Sequence, residues 1–189
     1  MPKYIVFAGP NGSGKSTLYL TNKDFFDVPR VNVDEIVCQN NGDWRNSADV
    51  VAAGKIAIQK INSCLDSRDS FNQETTLCGK SAIRNIKKAK NLGYDVELYF
   101  VYVDSVEIAK QRILQRVAAG GHGIPEADIE RRYTESLEKL KEVVPLCDKV
   151  ELYDNSRRFR RVASIKSGKA IAVASEIPEW VSDLLNAQD

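Results

Sequence analysis

The apolar run Tyr4-Ile5-Val6-Phe7-Ala8 leads straight into Gly9-Pro10-Asn11-Gly12-Ser13-Gly14-Lys15-Ser16-Thr17. A G-x-x-x-x-G-K-S spacing directly after a β-type run predicts a strand, a tight loop and a helix whose N-terminus converges on one anion. Glycines let the main chain curl around a polyphosphate, which is bound mainly by backbone N–H groups. Within this cofactor-binding segment, Gly9 through Thr17, Lys15 supplies a compact charge for the β- and γ-phosphates of ATP, and the Ser16 hydroxyl is the expected ligand for Mg²⁺. Lys15 is expected on an exposed loop.

The remaining sequence alternates strand and helix signals. Strands are predicted at 31–34, 70–74, 96–103 and 149–155, and helices at 15–20, 48–65, 81–92 and 106–117, the third ending at Gly93. Residues 159–174 read as a hairpin and 179–186 as a last helix, within a C-terminal segment of about 157–189. This order gives an α/β class with a P-loop kinase fold, a mostly parallel sheet with helices on both faces and a small helical lid at about 117–133, in one domain over 1–189.

Composition bears mainly on partners. With 27 Lys and Arg against 26 Asp and Glu, no global field marks the chain as a binder of nucleic acid or membrane, so specificity must be local. Cys38, Cys64, Cys78 and Cys147 show no C-x-x-C spacing and His122 is the sole histidine, which argues against structural zinc and for thiols in a reducing, cytoplasmic setting. No run approaches the length of a membrane span.

In parallel sheets ligands sit beyond the carboxyl ends of the strands. Asp34, Glu74 and Asp104 are expected at such ends, sharing a rim with the phosphate loop. There a carboxylate holds Mg²⁺ or accepts the proton of an attacking hydroxyl; helix capping is the better reading for Asp104. From Arg112 to Tyr133, arginines four apart run through Gly120-Gly121-His122-Gly123 into a helix opening at Pro125 and carrying Arg131 and Arg132. A glycine-flanked lid that brings arginines to a transferring phosphoryl group fits this pattern, with surface ion pairs taking about half of its charged residues. His122 reads as a hinge or lid contact or as a side-chain cap on the helix that starts near Pro125, Trp44 and Trp180 as packing residues, and Arg157 to Arg161 as a solvated basic turn beside the nucleotide.

Gly9 to Thr17, Asn32-Val33-Asp34, Phe71-Asn72-Gln73-Glu74-Thr75-Thr76-Leu77 and the segment from Arg112 to Tyr133 together resemble the zeta-toxin family of P-loop kinases. The resemblance covers most of the first 155 residues. It implies transfer of the γ-phosphoryl group of ATP to a hydroxyl of a small molecule, a UDP-activated amino sugar such as UDP-N-acetylglucosamine. It also implies Asp34 as catalytic base, Lys15 and Ser16 on phosphate and metal, Glu74 and Thr75 in the substrate pocket, and Arg116 with Arg131 or Arg132 as a cationic clamp. An antitoxin protein is the partner that goes with such a family, though no stretch of this sequence argues for one. Two other readings stay open: a kinase for nucleoside-, shikimate- or gluconate-like substrates, and an ATP-binding regulator that hydrolyses slowly.

Overall fold

A computed structural model describes residues 1–187, so Gln188 and Asp189 of the expected C-terminal segment lie outside the described residues. Strands β1 (Lys3–Ala8), β2 (Arg30–Val31), β3 (Phe71–Thr75), β4 (Asp95–Tyr102) and β5 (Lys149–Asp154) form a parallel array in the order β2-β3-β1-β4-β5. The hairpin β6 (Arg160–Lys166) and β7 (Lys169–Val173) extends it antiparallel from β5. β1 is central because no residue from Tyr4 to Ala8 tolerates water, and all are buried. Ala8 pairs with Thr75 on one side and Phe100 on the other, so the ends of β1, β3 and β4 meet at one rim.

The helices are α1 (Lys15–Thr21), α2 (Val33–Gln39), α3 (Ser47–Ser67), α4 (Ser81–Asn91), α5 (Val106–Ala118), α6 (Glu126–Val143) and α7 (Glu179–Asn186). Strand alternation divides the apolar residues between two cores. Tyr4, Val6, Leu98, Phe100 and Leu152 pack with Ile61, Ile86, Leu140 and Trp180 from α3, α4, α6 and α7. Ile5, Phe7, Tyr99 and Val101 pack on the other face with Leu18 and Tyr19 of α1 and with Phe26. A third cluster, Val103, Ala109, Ile113 and Ile129, joins α5 to α6 as a helical hairpin beyond the strand ends. Among the described residues no helix is long and apolar enough to cross a membrane.

The expected strand over 31–34 is cut short. The strand stops at Val31, and the Asn32 side chain accepts a hydrogen bond from the Asp34 N–H at 2.9 Å, capping α2. A cap that satisfies an orphan donor outweighs weak β propensity over two residues. Asp34 therefore stands in the first turn of a helix and not at a strand end.

Asp148 ties α4 to the start of β5. Lys90 Nζ donates to both of its carboxylate oxygens at 2.6 and 2.7 Å, and the Val96 N–H donates at 2.8 Å. Burial pushes the Asp148 carboxyl up, but these donors outweigh it and hold the group below the usual carboxylate range. A depressed folded value stabilises the fold above the unfolded value of about 3.9 and is lost as pH falls through the folded one. Asp148→Asn is expected to lower urea stability at pH 7 by about 1 kcal/mol, a gap that narrows in acid. An equal gap at pH 7 and in strong acid would refute this account.

Candidate active site

The phosphate loop is locked by its neighbours. Gly9 has φ 136°, and a Cβ there would lie 2.0 Å from the Val101 carbonyl oxygen of the adjacent strand. Gly14 has φ 109° and its Cβ would lie 2.4 Å from Asn155 Nδ2, which donates to the Ser13 carbonyl at 2.8 Å. Only glycine fits either place. Asn155, which no sequence signal singled out, thus clips the loop to the β5–β6 connection. Phe159 also approaches Gly14, so the basic turn does lie beside the loop.

Lys15 is not on an exposed surface; it is 6% exposed, and its ammonium donates to the Pro10 carbonyl at 2.9 Å. The loop folds back over the first turn of α1 and covers the side chain. Burial draws the ammonium below its ordinary range, although Glu74 and Asp34 pull the other way. Ser16 Oγ lies 3.0 and 3.1 Å from the two carboxylate oxygens of Glu74. Glu74 also accepts from the buried Arg30 guanidinium and from Asn32 Nδ2 at 3.2 Å. Arg30 in turn pairs with Glu35 at 2.7 Å and stacks 3.8 Å over the Tyr19 ring. Glu74 therefore stands beside Ser16, at the place expected for metal, while Thr75 Oγ1 accepts from the Leu77 N–H at 3.1 Å. Arg30 was missed because one arginine before a two-residue strand carries no sequence signal.

Asp34 Oδ2 lies 2.6 Å from His122 Nε2. Burial pushes the Asp34 carboxyl up, but His122, Lys15 and Arg116 together hold it below its ordinary range, so it is ionised at neutral pH. His122 does not cap α6, which has no side-chain cap, and instead makes its contact with Asp34 from within the expected lid segment. Asp104 does not cap α5 either: Ser105 Oγ accepts from the Ile108 N–H at 3.3 Å, and the Asp104 N–H donates to Ser156 Oγ at 2.9 Å.

The arginines divide. Arg116 Nε donates to the His122 carbonyl at 2.8 Å, and its second terminal nitrogen is buried without a hydrogen-bond partner among the described residues. Burial draws this guanidinium down against the pull of Asp34 and Glu74. Arg112 reaches the Asn155 carbonyl at 2.7 Å. Arg132 reaches Asn11 Oδ1 at 3.4 Å while also pairing with Asp128 at 3.4 Å, whereas Arg131 is held by Asp128 and Glu135, both at 2.9 Å, and is more than half exposed. Glu126 and Glu130 pair with Lys110 and not with the arginines.

Two cavities meet in this group. The smaller, about 300 Å³, is bordered by the phosphate loop, Ser16, Arg112, Arg116 and Asn155. The larger, about 450 Å³, is bordered by Gln73, Thr75, Thr76, Ser81, Arg131 and Arg132. Asn11, Lys15, Asp34 and Glu74 line both. The glycine cradle, the nearly solvent-free ammonium and the unpartnered Arg116 nitrogen fit a polyphosphate, and a hydroxyl beside a carboxylate is an oxygen donor set suited to Mg²⁺.

A family model described as Zeta toxin matches residues 1–165. A Haemophilus influenzae protein described as uncharacterized is 38% identical over 131 residues, which is 69% of this chain and 92% of that protein. A chain of the PezAT chromosomal toxin-antitoxin system of Streptococcus pneumoniae superposes with a TM-score of 0.64 at 17% identity, over 100% of this chain and 84% of that one. A chain of the AvrRxo1-ORF1:AvrRxo1-ORF2 complex with ATP gives 0.71 at 16% identity, over 100% of this chain and 64% of that one. At such identities these two likenesses bear on fold.

Proposed function

Since the chain belongs to the zeta toxin family and is a P-loop kinase, we propose that it moves the γ-phosphoryl group of ATP to a hydroxyl of a UDP-activated amino sugar such as UDP-N-acetylglucosamine. One observation carries this reading: two cavities, one floored by the phosphate loop and one lined by amides, hydroxyls and arginines, meet at Lys15, Asp34 and Glu74. Donor and acceptor approach from opposite sides, and these three groups with Asn11 touch both.

In this reading the N–H groups of the loop and Lys15 hold the β- and γ-phosphates. Ser16 would hold Mg²⁺ with Glu74 beside it, and a bound metal would supply positive charge to the phosphates. Arg116 and Arg132 supply charge for the equatorial oxygens as they spread negative charge in the transition state. Asp34 takes the proton of the acceptor hydroxyl as that oxygen bonds to the γ-phosphorus and the bond to the β–γ bridging oxygen breaks, releasing ADP. Glu74 is unsuited to this part because Arg30, Asn32 and Ser16 already occupy its oxygens.

A panel of acceptors with ATP and Mg²⁺ tests the assignment. UDP-N-acetylglucosamine is expected to raise ADP release roughly a hundredfold over ATP alone, with gluconate, shikimate and nucleosides near the background. A larger response to one of those transfers the assignment to that class. Slow release that no acceptor stimulates favours a regulatory ATP-binding protein.

A further inference from the structure

The loop between α5 and α6 has no part in the transfer described above, yet it carries the chain's sole histidine to Asp34. Its backbone is fixed on both sides of that residue. The Gly121 N–H donates to the Arg116 carbonyl at 2.8 Å, and Arg116 Nε returns a bond to the His122 carbonyl at 2.8 Å. A Cβ at Gly121 would lie 2.6 Å from Arg116 Cγ, and one at Gly123 would lie 2.6 Å from Trp44 Cη2 and 2.9 Å from Val117 Cγ2. Glycine is needed at both places because the chain passes in contact with α5 on one side and with the Trp44 ring, from the α2–α3 connection, on the other. The His122 side chain is 22% exposed, and Nε2 is sealed from solvent. Among the described residues Nε2 makes no hydrogen bond of normal angle, so its 2.6 Å approach to Asp34 is a close polar contact and not a linear bond.

We propose that His122 is a positioning residue: it latches the loop over the site and holds one oxygen of Asp34, leaving the other oxygen to receive the acceptor proton. The positioning role rests on the kinase reading given above; the latch does not. The other charges around the pair are Lys15 from the phosphate loop, Glu74 from β3, Arg116 from α5 and Arg132 from α6, with Lys110 and Glu126 behind the loop. Arg116 is fixed to the same loop backbone, so closure brings a guanidinium and an imidazole to the phosphoryl side together.

Two measurements on the full-length protein decide this. Diethylpyrocarbonate modification, followed by mass spectrometry at pH 7, reads His122 alone among histidines. Asp34→Ala and Gly123→Ala are each expected to raise its rate on the order of fivefold by releasing the latch, with circular dichroism unchanged. In turnover with ATP and UDP-N-acetylglucosamine, His122→Ala is expected to lower kcat about tenfold while KM for ATP stays within about threefold. His122→Gln, whose amide can still meet a carboxylate oxygen, is expected to recover most of the loss. Equal modification rates in wild type and both variants would overturn the latch. A wild-type kcat in His122→Ala would overturn the positioning role, as would a His122→Gln protein as slow as His122→Ala. If wild type phosphorylates no UDP-sugar, the acceptor assignment fails, and the modification rates decide the contact with Asp34.

Discussion

Lys15→Ala is expected to reduce turnover by at least about a thousandfold while the protein stays folded. Lys15 is 6% exposed and its ammonium donates to the Pro10 carbonyl. Because burial disfavours its charge, removing it relieves a desolvation penalty, and that offsets much of the lost packing. Thermal unfolding should therefore shift by no more than a few degrees. The catalytic loss has no such offset, since the loop carries no second cation able to reach the β- and γ-phosphates. A well-folded Lys15→Ala protein with unaltered ATP affinity and turnover would remove the phosphate loop from the mechanism.

Asp34→Asn is expected to lower transfer by about two orders of magnitude or more with ATP affinity within a few-fold of wild type. The substitution keeps shape and exposure and removes the base. Asp34 suits that part because its side chain is 46% exposed between the two cavities, while Glu74, at 10%, is fully engaged by Arg30, Asn32 and Ser16. Glu74→Gln should act differently, raising the Mg²⁺ concentration needed for half-maximal rate, because the carboxylate beside Ser16 loses its charge. Near-normal transfer by Asp34→Asn with a dead Glu74→Gln would exchange the two roles. Indifference to both substitutions, with every acceptor tried, would leave a nucleotide-binding protein and no kinase.

The phosphate loop was legible from residue order alone because its chemistry is local. Glycines at set positions, a lysine and a hydroxyl next to a helix start act through neighbours within a few residues, and the strand before it needs only an apolar run. The mostly parallel sheet follows from alternating elements and the β6–β7 hairpin from its own periodicity, whereas the order β2-β3-β1-β4-β5 is set by the tertiary structure. Asp34 marks where local reading fell short: Val31-Asn32-Val33 looks extended, yet Asn32 caps a helix through one hydrogen bond, and the carboxylate moves into that helix. The strength of a cap depends on whether a helix can pack behind it, and here Ile36 and Val37 bury themselves in the main core.

The remaining site contacts join segments that lie far apart in the chain. Arg30 meets Glu74 across 44 positions and Asn155 meets Ser13 across 142. His122 meets Asp34 because a loop of small residues is pressed between Arg116 and Trp44. None of these pairs has a pattern in the residues that form it, because a single arginine, asparagine or histidine has many partners open to it in an unfolded chain. Sheet order and helix packing select one partner, and burial then makes the choice costly to undo, since a charge sealed from water must be met by the group that happens to face it.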